Sequence, residues 1–503
     1  MITNLNKKYY YKIFLIFFIL VINSNFSLAS ISNENKPNII MIVADDLGYG
    51  DVSFNGSLDI STPNIDRIAK DGIKFTKGYV THSICAPSRA ALLTGKYQQS
   101  YGFERNPSAI PELSGGIPRG EFNLAEILKT SGYKTAAIGK WHLGVGSNYS
   151  PNHRGFDYFF GFERGGSNYY PELLTLDSYS EVTERYGWYN LKIIENKKPI
   201  KIRNYLTDEL SHAAVKFIDK QNESPFFLYL AYNAPHAPMQ ADQKVYNSIT
   251  NIKDPSRRTY AAMVKSLDNG VGKVLDAIDR HNISENTMVI FLSDNGGPEQ
   301  TNFSDNGILR GQKSTPYEGG IRVPIAIKWP SNYPSGVSFD KNISSLDFFA
   351  TIVEAAKINF SNKNELDGVD LTPCITRSEC SALDRFLYFR DYDKDWKVVL
   401  SPHSVKIISQ KNNNLFKFKD RKIEKFNLNN DPSETNHNIK DHYNHKVMMQ
   451  SYQKWEKGFK GPNYAGLGSE GFKELTFLSR VKRKIKYTIF KIDRELKLFF
   501  GIY

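Results

Sequence analysis

The chain has 503 residues, enough for one large domain and a smaller one with a sizeable packed interior. Its 40% hydrophobic and 23% charged residues are ordinary for a soluble globular protein and exclude a fibrous or largely disordered chain. The formal net charge of +12 comes without any nucleic-acid-binding motif, so it suits anionic partners such as acidic polysaccharide, or simply solubility.

Residues 1–29 read as a secretory signal. Lys7, Lys8 and Lys12 form the basic region, IFLIFFILVI (13–22) the apolar region, and Ser27-Leu28-Ala29 offers small residues for cleavage. The apolar run is about half of the roughly 20 residues that a membrane-spanning helix needs. Export to a periplasm or the extracellular space is expected, with an uncleaved anchor as the alternative.

From residue 37 onward, apolar runs alternate with helical patterns. PNIIMIVADD (37–46) is a buried strand ending on two acids, and NIDRIAKDG (64–72) has helical spacing and a terminal glycine. CAPSRAALLTGK (85–96) looks like a helix start, since Pro87 in a first turn sacrifices no hydrogen bond. FNLAEILKTSG (122–132) is a helix stopped by Gly132, and YKTAAIGKWH (133–142) a strand running into charge. DELSHAAVKFIDK (208–220) is helical, PFFLYLAYNAPH (225–236) is a strand ending on His236, and a long amphipathic helix covers about 257–280. TMVIFLSDNGG (287–297) is a further strand ending on polar residues. The alternation predicts an α/β fold with a largely parallel sheet. One polar strand end is a turn signal, but four of them mark the carboxyl edge where open α/β sheets bind ligands.

After about residue 380 the pattern shifts to short antiparallel strands: RFLYFRD (385–391), SVKIISQK (404–411), LFKFKD (415–420) and IEKFNLNNDPSE (423–434). A helix is expected over 444–460. The expected units are therefore a catalytic domain at 37–380, a C-terminal subdomain at 381–465 and a basic amphipathic tail at 466–503. From Ser479 the tail carries eight Lys/Arg against two Asp/Glu. It suits either a membrane surface or anionic polymer, or an exposed, partly ordered helix.

There are three cysteines. Cys374 and Cys380 could close a short loop as a disulfide in an oxidising compartment. Cys85 is then left over, beside Arg89. A thiolate at a helix start near an arginine has a lowered pKa and is reactive, yet an exported free thiol is prone to oxidation.

Cys85-Ala86-Pro87-Ser88-Arg89, with Leu93-Thr94-Gly95-Lys96 behind it, resembles the signature of the formylglycine-dependent sulfatases. The likeness continues through NIIMIVADDLGYGD (38–51), GKWHLG (139–144), HRGFDYFFGF (153–162), YNAPHAP (232–238), FLSDNGG (291–297) and LRGQKSTPYEGGIRVPIAIKWP (309–330), covering roughly 37–440. It implies an alkaline-phosphatase-like core with a small C-terminal α+β subdomain.

The resemblance also implies chemistry. A maturation enzyme converts Cys85 to Cα-formylglycine, an aldehyde that hydrates to a diol and is no longer an oxidisable thiol. Asp45, Asp46, Asp294 and Asn295, with an oxygen on residue 85, are implied ligands of Ca²⁺, with Mg²⁺ the less favoured ion; hard oxygen donors suit both. Arg89 orients the diol, Lys140 and Lys313 contact the sulfate, His142 removes the second diol proton, and His236, with Lys313, serves the leaving oxygen. Glu318-Gly319-Gly320 is read as a turn supporting Lys313. The expectation is an exported sulfatase cleaving aryl sulfate or, preferably, sulfated carbohydrate. The alternatives are a phosphate or phosphonate ester hydrolase on the same scaffold, an unmatured non-catalytic sulfated-glycan binder, and a cysteine hydrolase.

Overall fold

The computed structural model describes residues 36–107, 115–146, 148–170, 193–221, 224–411, 421–437 and 445–464. The secretory segment at 1–29, the strand expected at 415–420 and the basic tail at 466–503 lie outside the described residues. Among the described residues, twelve strands precede residue 345: β1 (Asn38–Ala44), β2 (Ile73–Phe75), β3 (Gly78–Tyr79), β4 (Lys134–Lys140), β5 (Tyr158–Phe162), β6 (Ile193–Glu195), β7 (Lys198–Ile200), β8 (Phe226–Ala231), β9 (Thr287–Ser293), β10 (Ile325–Lys328), β11 (Val337–Phe339) and β12 (Ile343–Ser344). All but β3 and β12, which pair with each other, form one sheet in the order β11-β2-β10-β9-β1-β8-β4-β5-β6-β7.

The five central strands, β9-β1-β8-β4-β5, are mutually parallel. Antiparallel partners flank them: β10 beside β9 and β6 beside β5. Parallel strands are covered on both faces and so read as unbroken apolar runs. In β1, Ile40 and Ile42 face one core with Leu210, Ala214, Met263 and Leu267 from helices Leu206–Ile218 and Pro255–Arg280. Ile39, Met41 and Val43 face the other, with Ala86, Ala90 and Leu93 of helix Cys85–Thr94 and Phe348 and Ile352 of helix Asp347–Ala355. Side-chain alternation along a strand splits the run this way, and each fully buried Ile or Leu contributes roughly 1.5–3 kcal/mol.

Local signals set the helix ends. Asn123 and Glu126 form a reciprocal capping box that opens helix Leu124–Thr130. Asp254 caps the 26-residue helix, which starts on Pro255. Among the described residues no helix is long and apolar enough to cross a membrane.

The C-terminal sheet is antiparallel, in the order β13 (Leu387–Asp391), β14 (Trp396–Leu400), β15 (Val405–Lys411), β16 (Arg421–Asn427). Strand β14 is an addition to the sequence reading; its short WKVVL run sits only four residues after β13 and merges with it by eye. On one face Val399, Val405 and Ile407 pack on Met448 and Tyr452 of helix His445–Glu456. On the other, Leu387, Phe389 and Ile408 pack on Tyr79 of β3 and on Ile321 of the short helix Glu318–Ile321, which tie the small sheet to the catalytic domain. Cys374 and Cys380 are disulfide-bonded, leaving Cys85 as the free, buried cysteine.

Candidate active site

The carboxyl ends of four adjacent parallel strands supply the site. β1 runs into Asp45 and Asp46, β9 into Asp294 and Asn295, β4 ends on Lys140 just before His142, and β8 leads to His236. The helix Cys85–Thr94 delivers Cys85 at its first position and Arg89 one turn later. Every one of these side chains is buried, as the ends of strands inside a covered sheet must be.

Cys85 lies among the carboxylates: Asp45, Asp46, Cys85 and His236 each place one potential ligand atom within 4.8 Å of the others. Lys140 Nζ donates to Asp45 Oδ2 at 2.6 Å, and Lys313 Nζ to Asp46 Oδ1 at 2.5 Å. The Arg89 guanidinium braces two strand ends, with Nε donating to Asp294 Oδ2 at 2.8 Å and Nη2 3.8 Å from Asp45 Oδ1. Three carboxylates therefore face three cations. A divalent cation added to this balanced set leaves a net positive site, as an anionic substrate requires.

The donor set fits such a cation. Asn295 Nδ2 donates to Asp46 Oδ1 at 2.7 Å, which fixes the amide and leaves its Oδ1 buried with no hydrogen-bond partner among the described residues. Native folds rarely leave a buried carbonyl oxygen unpaired, and a hard metal ion satisfies it. Asp294 Oδ1 accepts from the Asp46 backbone N–H, and Asn302 Nδ2 donates to the Asp46 carbonyl. These bonds hold Asp46 in the left-handed region, φ 65°. His142 (φ 59°) and Ser314 (φ 68°) share that conformation, so strained backbone gathers at the site.

Burial dominates the electrostatics. It pushes the Cys85 thiol up to about 12, against the pull of Lys140 and Lys313. The lowered thiol pKa expected from the helix start is thus corrected: desolvation outweighs the helix end and the cations. Burial, seconded by Lys140, holds His142 well below the usual imidazole range, and burial also lowers His236. Burial lifts Asp294 to about 6, whereas Lys140, followed by His236 and Arg89, overcomes burial at Asp45 and holds it far below the carboxylate range.

The Lys313 loop is held from two sides. Ser314 N–H donates to the Ser83 carbonyl at 2.8 Å. Behind it, Gly319 and Gly320 pack backbone on backbone; a Cβ on either would stand 2.3 and 2.2 Å from the Gly311 and Thr315 carbonyl oxygens. Glu318, wholly buried, pairs with Lys406 of β15 at 2.9 Å. The sequence reading missed Lys406, Glu434 and Asn302 because their partners lie far along the chain.

Residues 37–358 match the sulfatase family, and residues 312–459 match the C-terminal region of N-sulphoglucosamine sulphohydrolase. The N-acetylgalactosamine-6-sulfatase of Mus musculus is 33% identical over 387 residues, 74% of this chain and 72% of that protein. The uncharacterised sulfatase YdeN of Escherichia coli K12 is 32% identical over 406 residues, 70% and 68%. The crystal structure of Ps i-CgsB is 36% identical with a TM-score of 0.78, covering 89% of this chain and 99% of that one, and its complex with k-i-k-neocarrahexaose gives 35% and 0.77. The phosphonate monoester hydrolase of Agrobacterium radiobacter, at 19% identity and a TM-score of 0.57, shares the fold.

Proposed function

Because the chain belongs to the sulfatase family and is a sulfuric ester hydrolase, we propose that it is exported and removes sulfate from sulfated carbohydrate, using Cα-formylglycine made from Cys85. The observation that carries this reading is the buried Cys85 among three carboxylates and three cations. A thiol pushed up to about 12 is a poor nucleophile, so a cysteine hydrolase fits the site badly. Hydrated formylglycine at position 85 supplies an oxygen nucleophile instead. Asp45, Asp46, Asp294 and Asn295 would hold Ca²⁺, which supplies Lewis-acid stabilisation of the sulfate oxygens.

The chain's own groups do the rest. Lys140 and Lys313 bind the sulfate and offset the charge that grows on its oxygens; preorganised donors of this kind are each worth roughly 3 kcal/mol. His142, neutral because it is buried beside Lys140, accepts a proton from the oxygen on residue 85. His236 Nδ1 points at the Ala237 carbonyl, 2.6 Å away, which fixes that nitrogen as the protonated one. In the neutral ring Nε2, 3.5 Å from Asp46 Oδ2, is therefore an acceptor, and it delivers a proton to the leaving oxygen from the imidazolium form, whose charge Asp45 and Asp46 favour against burial.

Carbohydrate as the leaving group is supported by the Ps i-CgsB complex with an oligosaccharide and by the basic charge. The Cys374–Cys380 disulfide suits the oxidising compartment that export provides. The test is sulfate release by matured protein from 4-nitrophenyl sulfate and a panel of sulfated mono- and oligosaccharides, beside the matching phosphate ester. A strong phosphate preference, or aryl turnover with no sugar ester cleaved, contradicts the reading. N-terminal sequencing of protein from a cell fraction checks export and cleavage near Ala29.

A further inference from the structure

The turn joining β13 to β14 overlies the catalytic loop. Lys394 Nζ donates to the Ser314 carbonyl, next in sequence to Lys313, whose own ammonium is 3.1 Å from Cys85 Sγ. Ser314 in turn donates to Ser83, two residues before Cys85. The C-terminal sheet thus places a cation on the backbone of the loop that carries Lys313.

This turn is built rigidly. Asp391 Oδ1 accepts from the Lys394 backbone N–H at 3.1 Å, and Asp395 sits at φ 50° with Arg421 donating to both its carboxylate and its carbonyl. Asp393 is neutralised by a two-point pair with Arg105. Lys394 keeps 41% of its side chain exposed, with Asp391 Oδ2 at 3.5 Å and the Trp396 ring 4.5 Å beneath its ammonium. An ammonium has three donors; Ser314 engages one and solvent reaches the group. Tyr392 on the same turn is 49% exposed and offers a ring face of the kind sugars stack on.

We propose that this turn is a subsite for a second anionic substituent, a sulfate or carboxylate on the sugar adjoining the one whose ester is cleaved, with Lys394 as the residue that holds it. The subsite rests on the sulfated-carbohydrate reading and deepens it: it makes the preferred substrate a multiply charged oligosaccharide. The requirement for charge in two places explains a part for the C-terminal sheet that the cleavage chemistry itself does not need.

The test uses the matured full chain and competitive inhibition of 4-nitrophenyl sulfate hydrolysis by two disaccharides of one backbone, sulfated on one residue or on both. The wild type is expected to bind the doubly sulfated sugar up to about fivefold more tightly, the upper range for one exposed charge pair, and less so at high salt. Lys394→Gln, which keeps a donor for Ser314, should bring the ratio to near parity, while Lys394→Arg should restore it. No wild-type preference, an unchanged ratio in Lys394→Gln, or both inhibition constants rising by one factor would overturn the subsite. Absence of sulfate release by the wild type from 4-nitrophenyl sulfate and from both disaccharides would instead overturn the catalytic reading beneath it.

Discussion

Lys313 Nζ stands 3.1 Å from Cys85 Sγ while also donating to Asp46 Oδ1. One ammonium thus joins the nucleophile position to the metal carboxylates, yet burial leaves the thiol up near 12. Activity should therefore depend on replacing that sulfur. Mass spectrometry of the Cys85 peptide from active protein should show one oxygen in place of the sulfur and two hydrogens fewer. Lys313→Ala should lower kcat by about 10²–10³-fold, the usual cost of one preorganised donor. Full activity in protein whose Cys85 peptide is unaltered would contradict the assignment.

Asn295 keeps a buried Oδ1 with no hydrogen-bond partner among the described residues while its Nδ2 is spent on Asp46. Binding of a cation to the folded chain alone must raise its stability, by about 2.7 kcal/mol at a hundredfold excess over Kd. EDTA should lower Tm and calcium restore it. Asn295→Ala should cut the calcium-induced rise in Tm, whatever its effect on turnover. A calcium response equal to the wild type's would remove Asn295 from the ligand set.

Gly165 lies against the His142 ring: a Cβ there would stand 2.8 Å from Nε2. The ring is already constrained by its left-handed backbone and the 2.9 Å bond from His142 N–H to the Glu163 carbonyl. Gly165→Ala should lower kcat by tenfold or more, with a smaller change in KM, since the displaced group moves protons and does not bind the ester. Steady-state kinetics on 4-nitrophenyl sulfate reads the split; a rise in KM alone would place Gly165 on the binding side.

Why were some of these relationships legible in the sequence and others not? β1, β8 and β9 are covered on both faces and show nearly unbroken apolar runs, β4 keeps only the short Ala136–Ile138 run, and each leads into the polar residues that meet at the site. Local order and spatial order coincide there. Two helix starts, read at 122 and about 257, lie at Leu124 and Pro255, where Asn123 with Glu126, and Asp254, supply local caps that the reading did not use. Gly165 against His142, and Lys394 on Ser314, carry no local pattern, because their partners are 23 and 80 residues apart or come from another sheet. The pairing of β14 with β13 was hidden by a turn too short to separate two runs.

The buried charges at the back of the Lys313 loop set the last expectation. Lys406 Nζ lies 2.9 Å from Glu318 and 2.8 Å from Glu434, so one ammonium serves two carboxylates. Tyr79 also donates to Glu318, Arg322 approaches it at 3.5 Å, and Glu434 Oε2 accepts the Glu318 backbone N–H. Burial pushes Glu434 up to about 7, with Lys406 opposing and Glu318 adding to the shift. Its folded value lies above the usual 4.5, so between those values the folded chain binds more protons than the unfolded one. The resulting stability is fully present below about 4.5 and is lost as pH rises through about 7, about 3 kcal/mol at most. Glu434→Gln keeps an acceptor for the Glu318 N–H and leaves one lysine to one carboxylate. The variant should therefore gain on the wild type by a few degrees in Tm between pH 5 and pH 8. Parallel melts across that range check it; a difference that stays flat, or shrinks with rising pH, means that Glu434 is charged in the folded chain throughout.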